Sequence, residues 1–334
     1  MKTILVVLTL ATLAAYAPIR HATFAYEDEV YLKPAQREVT AGEVWTSRGL
    51  TVLSFRANTL AAGLDPRGYH GVNVFLHILV GWSFFAVVRL LLPLPYALLA
   101  TALCLLHPLQ TEAVAYVTGR PELIAALGTL WAVWAALQTP FRWWHGGVAL
   151  LGAIVAVGGK DLGALALPLA GWMRWHVQRP AWSWRVVGLS ALGVGLTLAF
   201  AWPVVAHRIL GNDYLLMTQR RGLPYLGTQV LAVWNYLALA ILPAWQTVDH
   251  DMELATPIVV WIGLGAGVLA LSALWTLRLR WPLVWLGVGW MVLALLPRFF
   301  IPLSEYLNEH QLMTPFFGVW IAMSATLMYA EQWW

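Results

Sequence analysis

The chain has 334 residues, 60% of them hydrophobic and 11% charged, with 21 tryptophans and a formal net charge of +4. That composition excludes an ordinary soluble domain, and the Lys and Arg residues are scattered between apolar stretches without the basic stripe that a nucleic-acid partner requires. The single cysteine, Cys104, lies inside an apolar segment, excludes an intrachain disulfide and reads as a small core residue.

Apolar stretches recur along the chain. Several have the roughly 17–25 residues that carry a helix across the hydrocarbon core, and none alternates as an outer-membrane strand does. The fold class is therefore all-α: a polytopic membrane protein, a single domain over residues 1–334, with about 10–12 transmembrane or membrane-embedded helices. The first stretch, residues 2–19, opens on Lys2 and small residues in the manner of a signal peptide, yet it nearly reaches the length of a spanning helix. Residues 20–70 read as an outer loop that begins with the acids of "FAYEDEVYL". Apolar segments follow at 71–92, 94–106, 122–137, 146–158 and 162–175, the last two short enough to form a hairpin around Gly158, Gly159, Lys160 and Asp161. Beyond them lie 186–206, a second outer loop at 207–228, and segments 229–244, 256–277, 281–297 and 312–330.

With the amino terminus inside, alternate crossings place Arg89, Arg142, Arg174, Arg179 and Arg185 in cytoplasmic turns, as the positive-inside rule expects. Strict alternation would invert that bias at Arg278 and Arg280, so residues 229–244, broken by Pro243, are expected not to complete a simple crossing. Every Asp and Glu except Glu331 then falls on or beside the outer face. The rule concerns Lys and Arg, so the convergence of acids needs a functional cause.

Several polar groups are candidates for that cause. Glu27, Asp28 and Glu29 sit just past the first helix, where one carboxylate can take a proton from a hydroxyl and where close carboxylates can hold a divalent cation; a topological flank is the plainer reading. His70, Asn73 and His77 recur at i, i+3 and i+7, one helical stripe best explained by polar contacts within the bundle. In "HPLQTEAVAYVTGRPEL", a helix over residues 109–120 would put Glu112, Tyr116 and Arg120 on one face, lining a polar cavity or forming a network that ties two loops. Lys160 and Asp161 interrupt two apolar segments, as a functional pair or a local ion pair. Arg220 and Arg221 in the second outer loop can hold phosphate oxygens or anchor the loop at the membrane surface. Glu305, Glu309 and His310 precede the last segment.

Taken in chain order, these stretches resemble the membrane portion of the TMTC-type glycosyltransferases, relatives of the protein O-mannosyltransferases with a GT-C fold. "FAYEDE" is similar to that family's acidic pair after the first helix, and "SRGLTVLSFRAN" and "GYHGVNVFLH" to its next two conserved stretches. "LLHPLQTEAVAYVTGRPELIAAL" carries the most specific likeness, followed by "GKDLGALALPL", "YLALAILP" and "PLSEYLNEHQLMTP". The chain departs from the family pattern at Glu27, where Asp is usual, at Gly49 after Arg48, and at Gln311, which stands in place of an arginine. Larger members also carry tetratricopeptide repeats after the membrane region.

The resemblance implies an inverting transfer of a mannose-like sugar from a polyprenyl-phosphate donor to a hydroxyl of an exported protein or a glycan, on the outer or lumenal face. No cofactor is required on that reading. Glu27 or Asp28 would act as base. Arg120, Lys160 and Arg220 or Arg221 would supply phosphate-side cations, and His107, Glu112 and His310 would position the reactants, with Arg48, His70, Asp161 and Glu309 completing the substrate site. The lipid tail would lie in a groove between helices, among membrane lipids, and a partner protein would take over the part of the repeats. The alternatives are an enzyme of the same architecture that glycosylates a lipid or envelope glycan, and a membrane scaffold subunit without catalysis.

Overall fold

The computed structural model describes residues 2–25, 28, 32, 48–178, 195, 223–247, 256–300 and 307–332. Helix α1 (Lys2–Tyr16) runs into a 3-10 turn at Ala17–His21, and α2 (Gly49–Ala62), α3 (Pro66–Val88) and α4 (Leu94–Leu106) follow. The short α5 (Thr111–Ala115) lies between 3-10 turns at Pro108–Gln110 and Val117–Gly119 and leads into α6 (Arg120–Ala136). Helices α7 (Trp143–Gly159) and α8 (Ala166–Gln178) are joined through a 3-10 turn at Asp161–Leu165. The described residues then form α9 (Leu223–Ile241), α10 (Pro257–Leu277), α11 (Pro282–Phe300) and α12 (Met313–Glu331), the last entered through the turn His310–Leu312.

No strand occurs among the described residues, so the all-α expectation holds. Five segments there are long and apolar enough to cross a membrane: Thr3–His21, Pro66–Val88, Pro257–Thr276, Pro282–Phe299 and His310–Glu331. A sixth is added if Leu94–Leu106 and Pro108–Ala115, bent by 49° at their junction, count as one broken span. The protein is thus a multi-pass membrane protein. Helix α9, whose crossing the charge pattern questioned, is not among these segments. The stretch expected as an outer loop at 20–70 holds α2, which local signals delimit. Gly63 ends the helix with φ of 63°, a left-handed conformation natural to glycine. Asp65 then caps α3 by accepting the Arg67 N–H at 3.0 Å, with Pro66 in the first turn. The apolar segment at 186–206, Gly195 apart, lies outside the described residues, as does the loop expected at 207–228 up to residue 222, whereas its last residues, 223–228, are not loop but the start of α9.

The centre of the bundle is α6, buried along nearly its whole length. It packs on α7 through small residues. A Cβ at Gly128 would stand 2.4 Å from the Gly152 carbonyl oxygen, one at Gly152 2.6 Å from the Gly128 carbonyl oxygen, and one at Gly159 2.6 Å from the Ala125 nitrogen. Helices α11 and α12 meet in the same way at Gly287 and Gly318. Lipid tails are as apolar as leucine, so helices gain little from hiding hydrophobic surface from each other, and close backbone approach is how such bundles gain contact energy. Around α6 stand α3, α8 and α12, with α4 against α12 and α1 held by an edge-to-face contact between Tyr16 and His77 at 5.5 Å. Helix α10 leans on α9 and leaves Ile258, Trp261, Ile262 and Leu269 exposed, as a lipid-facing helix does.

Replacing Gly152 by Val should push α6 from α7 and lower stability by about 1–3 kcal/mol or more, as overpacking does. The same change at Gly147, where a Cβ would meet nothing within 4 Å, should leave melting in detergent unchanged. Equal melting temperatures for the two variants would contradict this packing.

Candidate active site at a broken helix

The polar residues gather where the chain between α4 and α6 fails to stay helical. His107 ends α4 with extended backbone (ψ 133°), and Tyr116 is again extended (ψ 126°) between α5 and the next turn. Each interruption leaves backbone groups without their helical partners, which is tolerable at membrane depth only if the protein supplies others. Asn73 on α3 does so. Its Nδ2 lies 3.3, 3.0 and 3.4 Å from the carbonyl oxygens of Val114, Tyr116 and Val117, and its Oδ1 accepts from Arg120 Nε at 2.8 Å. The Arg120 guanidinium also donates to the carbonyls of Ser54 and Tyr69 at 3.2 and 3.1 Å and lies 4.4 Å from the centre of the Phe55 ring.

The expectation that Glu112, Tyr116 and Arg120 share one helix face is therefore corrected. The break at Tyr116 turns Arg120 inward, fully buried, with every guanidinium nitrogen engaged by protein acceptors. Glu112 faces the other way, accepting the His310 backbone N–H at 2.7 Å and His310 Nδ1–H at 2.8 Å.

Asp28 joins this unit from the first loop. It is buried, and its Oδ1 accepts the Thr118 N–H and its Oδ2 the Ala25 N–H, both at 3.0 Å. His70, one turn before Asn73, lies buried near Asp28 and Arg120, with the carbonyls of Ala22 and Ala115 beside its ring. The buried stripe of His70, Asn73 and His77 expected from the sequence is present, and His77 Nε2 lies 3.1 Å from the Leu105 carbonyl oxygen. Glu27, Arg220 and Arg221 lie outside the described residues. Among the described residues no group of three or more His, Cys, Asp and Glu side chains is placed to hold a metal ion.

Around His310 a second polar group is built. Glu309 is buried and accepts from Gln246 Nε2 at 2.9 Å and from the Thr247 N–H at 3.2 Å. His107 accepts the Leu109 N–H on Nδ1 at 3.3 Å, which leaves Nε2 to donate to the Ala240 carbonyl at 3.1 Å. The hydroxyl of the buried Tyr236 accepts the Asn308 N–H at 2.8 Å, and its ring centre lies 5.5 Å from the Arg298 guanidinium carbon, with Glu112 also within electrostatic reach.

A third group sits on the turn after α7. Lys160 is paired with Glu122 of α6, so the local pair with Asp161 gives way to a contact between helices, and Asp161 adds only a weaker attraction. Burial pushes the Lys160 ammonium below its ordinary pKa, Glu122 opposes the fall and nearby Arg48 adds to it. Thr51 Oγ1 donates to the Gly159 carbonyl at 2.9 Å and holds α2, with Arg48 at its start, against this turn. Glu122, Thr129, Gln311 and Thr314 line one small cleft, so the second and third groups adjoin.

Three residues here carry no role in the sequence reading: Glu122, Tyr236 and Arg298. Glu122 and Arg298 are ionisable groups within or at the end of apolar segments, a signal that marks functional candidates. Tyr236 has none.

No protein-family model matches the chain, and no solved structure matches it significantly. Curated proteins do match over part of it. Protein O-mannosyl-transferase Tmtc1 of Drosophila melanogaster is 48% identical over 90 residues, 27% of this chain and 10% of the relative. The human Protein O-mannosyl-transferase TMTC3 is 41% identical over 80 residues, 24% of this chain and 9% of the relative. The resemblance to the TMTC proteins is real over that portion. The mouse TMTC4 protein extends the match to 150 residues at 31% identity, 35% of this chain and 20% of the relative. The chain thus spans between about a tenth and a fifth of the length of these TMTC relatives.

With Arg120 serving the fold, Arg120→Lys should strand the acceptors of Asn73, Ser54 and Tyr69 and lower stability by about 2–3 kcal/mol. The measurement is thermal unfolding of the purified protein in detergent. A variant that melts as the wild type does would contradict the structural role.

Proposed function

We propose that the chain is a glycosyltransferase that moves a mannose-like sugar, with inversion, from a polyprenyl-phosphate donor to a hydroxyl of an exported protein on the outer or lumenal side of the membrane. The observation that carries the reading is the identity, up to 48%, to proteins named protein O-mannosyl-transferases. The geometry supports it, because the carboxylates of Asp28 and Glu112 flank one rigid broken segment at the ends of membrane helices.

In the proposed reaction the acceptor oxygen attacks the anomeric carbon, the bond from that carbon to the phosphate oxygen breaks, and the polyprenyl phosphate leaves with the electron pair. A carboxylate takes the hydroxyl proton, and cations offset the charge gathering on the phosphate. Both oxygens of Asp28 are held by backbone N–H groups, so we assign Asp28 to pinning the first loop on Thr118 and Glu27 to accepting the proton. Glu112 fixes His310 beside the acceptor, and Glu309 fixes the chain at Gln246 and Thr247. The engaged cations Arg120 and Lys160 hold the frame, Arg220 or Arg221 keeps its proposed place on the phosphate side, and Arg48 stays in the substrate site. A divalent ion at the acidic triplet would add to that charge.

The test is sugar release from polyprenyl-phosphate mannose by the purified protein with candidate acceptor peptides. Glu27→Gln should lower transfer by roughly 10²–10⁴-fold without changing the melting temperature, whereas Asp28→Asn should lower both. Full transfer by Glu27→Gln would overturn the base assignment, and no transfer by the wild type with any acceptor would overturn the proposed activity.

A further inference from the structure

Gln110 is the one carboxamide among the described residues whose two polar atoms are both buried and both without a hydrogen-bond partner. It is 1% exposed and ends the 3-10 turn Pro108–Gln110, so the cost of an unmatched amide falls on it in full. The fold makes no use of the group. Gln110 stands at the N-cap of α5, where a polar side chain ordinarily accepts a backbone N–H, yet no such bond forms. The turn is held by other contacts: the Gln110 N–H donates to the His107 carbonyl at 3.0 Å, and the Leu109 N–H to His107 Nδ1 at 3.3 Å. Other carboxamides in the bundle are engaged, Asn73 at the break, Gln138 and Gln178 on backbone carbonyls and Gln246 on Glu309.

The position of the turn gives this amide a use. The turn packs on His310–Leu312, and two residues further on Glu112 holds the backbone and the ring of His310, so Gln110 borders the polar group around His310. Of the three parts of the proposed donor, the sugar alone suits it. A phosphodiester oxygen only accepts and a prenyl chain does neither, so each leaves at least one of Nε2 and Oε1 unmatched. A pyranose hydroxyl both donates and accepts, and two neighbouring hydroxyls match an amide whose Nε2 donates to one and whose Oε1 accepts from the next. The glutamine side chain turns about three single bonds, so it can swing from its packed position onto a sugar lodged beside Glu112 and His310.

We propose that Gln110 binds adjacent hydroxyls of the donor's sugar and so selects which sugar is transferred. This rests on the proposed transfer reaction and adds to it the residue that reads the sugar. A site with a buried polar group rejects a ligand that leaves the group unpaired. The bare polyprenyl phosphate that remains after transfer does so, and it is therefore held less tightly than the donor.

The experiment measures binding of polyprenyl-phosphate mannose and of sugar-free polyprenyl phosphate to the purified full chain by native mass spectrometry. The wild type should bind the mannose form about tenfold more tightly. Gln110→Met, which keeps the length and removes the amide, should erase most of that preference without lowering the melting temperature, because the amide has no partner in the fold. Gln110→Asn should keep part of the preference. On the unaltered chain, one or two of the single-deoxy mannose donors should bind roughly tenfold more weakly than the full sugar, a difference that Gln110→Met should lose. A preference unchanged in Gln110→Met, or equal binding of every deoxy donor by the wild type, overturns the site. So does a Gln110→Met that melts lower or fails to fold, which would mean that the amide is bonded within the fold or to a buried water. A loss confined to the binding of an acceptor peptide overturns it as well. The two readings fail separately. Sugar transfer by the wild type with an unchanged preference in Gln110→Met leaves the activity standing and removes this site, whereas a preference lost in Gln110→Met, without transfer by the wild type to any acceptor, does the reverse.

Discussion

One carboxamide bears more of this architecture than any apolar contact does. Asn73 sets its amide against three carbonyls released by the break at Tyr116 and offers its oxygen to Arg120. In a bilayer an unsatisfied backbone group costs several kcal/mol, so a chain that leaves the helix here needs such a partner on a neighbouring helix. Given that partner, the break becomes rigid. Glu112 is then turned toward His310, Thr118 presents its N–H to Asp28, and Arg120 enters the centre of the bundle.

The cations follow from the same constraint. Arg120 is stacked on Phe55 and Lys160 is paired with Glu122, so both offset buried acceptors and their worth lies in holding helices in register. The glycine contacts between α6 and α7, and between α11 and α12, give these polar ties the short distances they need. Stability and site geometry therefore draw on the same residues. Changes meant to probe catalysis at Arg120 or Asp28 will also report on folding.

Much of this was legible in the sequence because apolar length and charge position are one-dimensional signals. The all-α membrane fold, the hairpin at Lys160 and the buried stripe of His70, Asn73 and His77 follow from segment length and spacing alone. The face shared by Glu112 and Arg120 did not survive, since periodicity assumes an unbroken helix and cannot register that a side chain 43 residues away takes over the Tyr116 carbonyl. The Glu122 partner of Lys160 was hidden for the same reason: it lies 38 residues away, whereas Asp161 is adjacent. Helix α2 was missed inside a stretch read as loop because its polar residues, Arg56, Asn58 and Thr59, give it only moderate hydropathy. Arg298 falls one residue past the apolar segment 281–297, and its burial against Tyr225 and Tyr236 of α9 depends on contacts more than 60 residues away in the chain.

The account stands or falls on whether Asn73 and Arg120 act as one unit. The direct measurement is a double-mutant cycle on reversible unfolding in mixed micelles, with Asn73→Ala, Arg120→Met and the pair combined. A shared network predicts a coupling energy of about 0.5–3 kcal/mol, the double variant losing less stability than the sum of the single ones. Losses that simply add would mean that the two side chains do not hold the break together.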